Sequence, residues 1–218
     1  PETTEPPTTL PPEPEHVVAT ATIGATGDIL MHMPVITTGQ QGNGTYNYDS
    51  IFRYLREYSD GADYAVANLE TTLAGTGNGY QYSGYPMFNC PDEIVDGAKD
   101  AGFDMLLTPN NHCFDTKMVG FNRTIEVIRE KGLLNLGTML SPEDDKYQVV
   151  DINGIKIGMM CFTYETGVPQ GGYAGRVYLN GLAMDPGGEE IVTSFLPSNP
   201  APFYAEVQTY LDEMKEAG

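Results

Sequence analysis

One pattern occurs twice and restricts the fold more than any other feature of the chain. Residues 61–70 read Gly-Ala-Asp-Tyr-Ala-Val-Ala-Asn-Leu-Glu, and residues 102–112 read Gly-Phe-Asp-Met-Leu-Leu-Thr-Pro-Asn-Asn-His. In each, a helical segment stops at Gly, an Asp follows two residues later, an apolar run comes next, and an Asn closes it. Helix, Gly stop and buried strand in repetition is βαβ organisation, which implies a mainly parallel inner sheet. In such a sheet ligands sit outside the carboxyl ends of the strands. Pro109 cannot donate to a ladder, so the second strand must stop there and hand over to Asn110, Asn111, His112 and Asp115.

The rest of the chain extends the same grammar. Residues 17–29 are β-branched and partly alternating, which predicts a strand ending at Gly27-Asp28, with His32 just beyond. Residues 50–58 put Ile51, Phe52, Leu55 and Tyr58 on one helical face, with Ser50 or Asp49 as N-cap. Helices are also predicted over 92–100, over 119–131 (Phe121, Ile125 and Ile128 on one face, Gly132 as the stop) and over 205–217. A short strand is expected at 133–136. Asn153-Gly154, between apolar segments 147–151 and 155–162, predicts a tight hairpin. Residues 72–89 form a Gly-, Tyr- and Ser-rich loop, and 166–202 read as an excursion over the surface.

Charge narrows the function. Lys and Arg number 11 against 30 Asp and Glu, a formal charge of −19. Such a surface repels nucleic acid and anionic membranes, and would repel a polyanion or phosphorylated substrate unless a bound cation reverses the local field. Residues 1–16, nearly all Pro, Thr and Glu, are expected to be a disordered linker, and 17–218 one domain. No apolar run reaches the length of a membrane span, so membrane attachment is expected only through an anchor not present in this chain. Cys90, Cys113 and Cys161 are odd in number and lack metal-ligand spacing; they read as small buried side chains.

The strand ends offer Asp28 with His32, Asn68 with Glu70, Asn111 with His112, and Asp115. Carboxylate, imidazole and amide oxygen together suit a hard or borderline divalent cation. Metal ions held by shared carboxylates assist phosphoester hydrolysis, and a nearby His oriented by a carboxylate serves as general acid. Each residue also has a plainer reading. Asp28 suits a turn cap, His32 a packed histidine beside Leu30, Met31 and Met33, Glu70 a solvated strand end, and Asp115 an N-cap. The ordered set, rather than any member, favours a site.

Gly27-Asp28-Ile29-Leu30, Ala67-Asn68-Leu69-Glu70-Thr71, Asn110-Asn111-His112-Cys113-Phe114-Asp115 and Asn153-Gly154-Ile155-Lys156-Ile157 resemble the bacterial capsule-synthesis CapA family of poly-γ-glutamate synthesis proteins. That family in turn resembles the calcineurin-like metallophosphoesterases. The resemblance implies an α/β fold, a metallophosphoesterase-like sandwich of two sheets flanked by helices, holding one or two divalent ions such as Mn or Zn. It implies Asp28, Glu70 and Asn111 as metal ligands, to which the strand-end grammar adds His32 and Asn68, and His112 as the acid with Asp115 behind it. It further implies work on an anionic capsule polymer or with its synthase complex, at the outer face of a bacterial membrane or secreted. A non-catalytic accessory subunit on the same fold is the alternative. The family's further strand, ending in a His-Trp-Gly-x-Glu-like motif, has no counterpart in a chain without Trp. With the Ala217-Gly218 stop, this predicts a domain truncated before its next strand.

Overall fold

The computed structural model describes residues 18–77 and 79–218. The expected linker at residues 1–16 lies outside them. The first half alternates strands and helices: β1 (Ile23–Ile29), α1 (Met33–Thr38), α2 (Asp49–Phe52), α3 (Arg56–Ser59), β2 (Tyr64–Leu69), α4 (Glu93–Asp100), β3 (Met105–Leu107), α5 (Lys117–Glu130) and β4 (Leu134–Leu136). The four strands form one sheet in the order β1-β2-β3-β4, with every neighbouring pair parallel. The protein is therefore α/β, with a parallel sheet and flanking helices.

Alternation along the strands gives each face its own core. Ala65, Ala67, Leu69, Leu106 and Ile29 point to the helical side, where they meet Ile94, Val95, Ala98, Val127 and Ile128 from α4 and α5. Val66, Met105 and Leu136 point the other way, toward Met159 and Cys161. The sequence motif's Gly stops work as expected. Gly102 and Gly132 sit at φ +89° and +82°, where a side chain is strained, so each ends its helix and turns the chain into a strand. Arg123 on α5 clamps Asp92, at the start of α4, through two guanidinium bonds of 2.7 and 2.6 Å.

The second half is β5 (Gln148–Ile152), β6 (Ile155–Met159), β7 (Thr163–Tyr164), β8 (Tyr178–Leu179), β9 (Leu182–Ala183), α6 (Gly188–Ile191), β10 (Ser194–Phe195) and α7 (Ala201–Glu216). β5 and β6 form the expected hairpin, with Asn153 and Gly154 both at positive φ as a type I′ turn requires. Opposite the parallel sheet the strands form two-stranded pieces rather than one continuous second sheet. Among the described residues no helix is long and apolar enough to cross a membrane.

Two expectations are corrected. Residues 50–58 make two short helices, α2 and α3, because the anticipated apolar face ends early: Phe52 is buried, but Tyr58 is 73% exposed. The chain bends there and brings the buried Ser59 hydroxyl to the Ala101 carbonyl. Residues 166–202 are not a surface excursion throughout. Val177, Leu179, Met184, Ile191 and Val192 pack with Phe114, Phe121 and Ile125 in a core of their own. Apolar residues in ones and twos between glycines carry no periodicity, which is why the sequence concealed them.

Candidate active site

The carboxyl ends of β1, β2 and β3 bring polar side chains together, and the first device is a bulge. Thr26 pairs with Ala67 and Asp28 with Asn68, so Gly27 is an extra residue in β1. Were Gly27 paired in register with Asn68, Asp28 would stand opposite Leu69 and face the helical core. With the bulge, Asp28 shares the face of Asn68, a known use of bulges beside functional sites.

From Asp28 a chain of amide bonds runs inward. Asn68 Nδ2 donates to Asp28 Oδ1 at 2.8 Å, and Asn110 Nδ2 donates to Asn68 Oδ1 at 3.1 Å. Asn110 Nδ2 also reaches the Leu69 carbonyl at 2.9 Å, and Asn110 Oδ1 accepts the His112 backbone N–H at 3.1 Å. These partners fix the orientation of both amides. The NH₂ of Asn68 is turned to Asp28, and its oxygen is already occupied.

His112 is buried and held from one side. Its Nδ1 lies 2.8 Å from Asp115 Oδ2, which also accepts the Phe88 backbone N–H at 2.7 Å. Asp115 Oδ1 accepts from Asn180 Nδ2 at 2.9 Å, and Asn180 also donates to the Pro86 carbonyl. With Asp115 accepting from three directions, Nδ1 carries the proton and Nε2 faces outward. Nε2 is 4.0 Å from Glu70 Oε1. Burial, and then the neighbouring Asp28 carboxylate, push the Glu70 carboxyl up to about 7, while His112 pulls it back in part.

The remaining candidates divide. His32 is exposed at the start of α1; its ring meets Phe88 edge-on at 5.0 Å, and Phe88 meets His112 at 4.6 Å. It therefore stands on the rim, across one aromatic ring from His112. Asn111 is half-buried and makes no side-chain hydrogen bond among the described residues; its neighbour Asn110 enters the network instead. Phe88 and Asn180 escaped the sequence reading. Phe88 lay in an unpatterned loop, and nothing local marks Asn180 except Asn-Gly at 180–181, a turn signal.

The donor chemistry, with Asp28 and Glu70 carboxylates beside an outward imidazole nitrogen and, among the described residues, no Lys or Arg paired to them, suits a divalent cation. Among the described residues, however, no three His, Cys, Asp or Glu side chains form a ready-made cage for one.

Residues 22–191 match the family model described as bacterial capsule synthesis protein PGA_cap. The chain is also similar to the capsule biosynthesis protein CapA of Bacillus anthracis, 29% identical over 147 residues that make up 65% of this chain and 34% of that protein. With the PGA biosynthesis protein CapA of Bacillus subtilis it shares 28% identity over 143 residues, 65% of this chain and 37% of the relative. It spans about a third of the length of these curated relatives.

Proposed function

The chain belongs to the bacterial capsule synthesis protein family, and on that premise we propose that it serves in making an anionic capsule polymer, poly-γ-glutamate, through a hydrolase-like site at the carboxyl edge of its parallel sheet. The observation that carries this reading is the His112–Asp115 pair, buried and locked, with Nε2 turned toward Glu70, whose carboxyl in turn has Asp28 as a neighbour. Asp28 and Glu70 would hold a divalent ion, Mn or Zn, with the uncommitted Asn111 amide and the rim imidazole of His32 within the same group of strand ends. When bound, the ion supplies Lewis acidity and neutralises the two carboxylates.

The chain's own residues do the rest. Asp115 accepts from Nδ1 and stabilises the positive ring, so His112 can hold a proton on Nε2 and pass it to a departing oxygen. Phe88 packs at right angles to the His112 ring, centroids 4.6 Å apart, and adds to its burial. The polymer or its synthase complex is the proposed partner, and nucleic acid is not. The proposed place is the outer face of the membrane, tethered, or secreted.

A non-catalytic accessory role on the same fold is favoured by one observation: Asn68 turns a donor, not an acceptor, toward Asp28. Metal content measured by mass spectrometry, with hydrolysis of bis-p-nitrophenyl phosphate, separates the two. The catalytic reading expects a stoichiometric divalent ion that Asp28→Asn loses. It also expects His112→Asn to keep the ion while turnover falls by about 10²–10⁴, the usual contribution of a positioned acid. Absence of both ion and turnover, with Mn or Zn supplied, would leave the accessory role.

A further inference from the structure

A cavity of about 280 Å³ that shares no lining residue with this site holds charges that do not neutralise one another. Glu165 and Glu189 line it together with Arg176, and Val168, Val177 and Leu196 give it apolar walls. Arg176 is the only basic residue in the lining and takes part in no ion pair among the described residues. Its guanidinium lies instead over the Tyr173 ring, 5.3 Å from the centroid. Glu165 is half-buried, its only side-chain partner among the described residues the Ser194 hydroxyl at 3.3 Å, and loss of water raises its carboxyl above the ordinary range.

The walls are tied down. Thr166 N–H donates to the Tyr178 carbonyl at 2.8 Å, closing the loop between them, and the Tyr178 hydroxyl accepts the Tyr173 backbone N–H at 2.6 Å. Glu165 N–H donates to the Phe195 carbonyl at 2.8 Å, on the short β7–β10 ladder. A guanidinium and a partly desolvated carboxylate are thus held facing one small space, each short of an ionic partner.

We propose that this cavity binds a zwitterionic α-amino acid. The ligand's ammonium is taken by the Glu165 side, its carboxylate by Arg176, and a short aliphatic side chain by Val168, Val177 and Leu196. Arg guanidinium and carboxylate form strong charge-assisted bonds in the planar geometry both groups prefer. The net charge of the protein argues for the same class. A simple anion approaching a chain of −19 is repelled at long range, whereas a zwitterion carries no net charge and meets no such barrier. This inference does not depend on the chemistry assigned to His112.

The test is a ¹H–¹⁵N NMR titration of the whole chain at neutral pH with L-leucine, N-acetyl-L-leucine and L-leucinamide. L-Leucine should shift amide signals within residues 165–178. The acetylated and amidated analogues, each lacking one charge, should bind about tenfold more weakly or worse. Arg176→Gln should weaken L-leucine by about the same factor and leave L-leucinamide unchanged, since that ligand has no carboxylate to lose. Equal binding of all three compounds would reduce the cavity to an apolar slot and overturn the proposal. Absence of localised shifts with tens of millimolar L-leucine would overturn it equally. The analogue series uses the unaltered protein, so neither outcome depends on a variant folding.

Discussion

Asp28 stands opposite Asn68 across the β1–β2 ladder, 2.8 Å from its amide, because β1 carries one more residue than its partner between Thr26 and Ile29. Side chains alternate with a period of two, so leaving Gly27 unpaired keeps Asp28 on the polar face instead of the helical core. The site begins with that register shift, and Glu70 then meets a carboxylate neighbour it would otherwise lack.

Glu70 gives the first prediction. Its carboxyl rises from 4.5 to about 7 on folding. The folded protein therefore holds this proton more tightly than the unfolded chain. The resulting stability is present below about 4.5 and lost as pH rises through about 7. Glu70→Gln should abolish this part of the pH dependence of the melting temperature, and Asp28→Asn should move the Glu70 carboxyl resonance in a ¹³C titration to lower pH. A Glu70 resonance titrating at the ordinary value in the unaltered protein would refute the geometry.

Asp115 is a structural and a chemical anchor at once. Asp115→Ala strands the Phe88 N–H, the Asn180 amide and His112 Nδ1, and should cost about 2–3 kcal/mol in urea unfolding. Asp115→Asn should retain more of that stability. Its turnover loss should fall short of that of His112→Asn, since it alters only how the imidazole is oriented. Equal stability in Asp115→Ala and the parent would show that these bonds are not made in solution.

The Arg123–Asp92 clamp joins α5 to the start of α4, and Arg123 also reaches the Leu73 carbonyl. Lys cannot reproduce the two parallel bonds. Arg123→Lys should lower stability by about 1 kcal/mol, allowing for the partial exposure of both side chains. A melting curve superimposable on the parent's would count against the bidentate geometry.

Gly102 and Gly154 share a left-handed backbone but not surroundings. A Cβ on Gly102 would collide with Asp60 Oδ1, whereas one on Gly154 would meet nothing within 4 Å. Gly154→Ala should cost about 1 kcal/mol for backbone strain alone, and Gly102→Ala clearly more. If the two substitutions cost the same, the contact with Asp60 is yielding rather than tight.

What the sequence determined by itself was everything held within a few neighbouring residues. The Gly-x-Asp strand openings, the strand that must end at Pro109, the Asn153-Gly154 turn and the apolar face of α5 follow from local sterics and periodicity. So did the identity of His112 with Asp115, three residues apart in one turn. The tertiary structure decided the rest. It placed Asn110 rather than Asn111 in the amide chain, because the turn after Pro109 aims only the first at the end of β2. It brought Asn180 across 65 residues to Asp115, and it set Phe88 between two imidazoles. It also turned Asp28 outward at a bulge that Gly27 does not announce. Local preference fixes how a backbone bends; which distant side chain meets the result depends on register and packing, and those are settled only when the layers close.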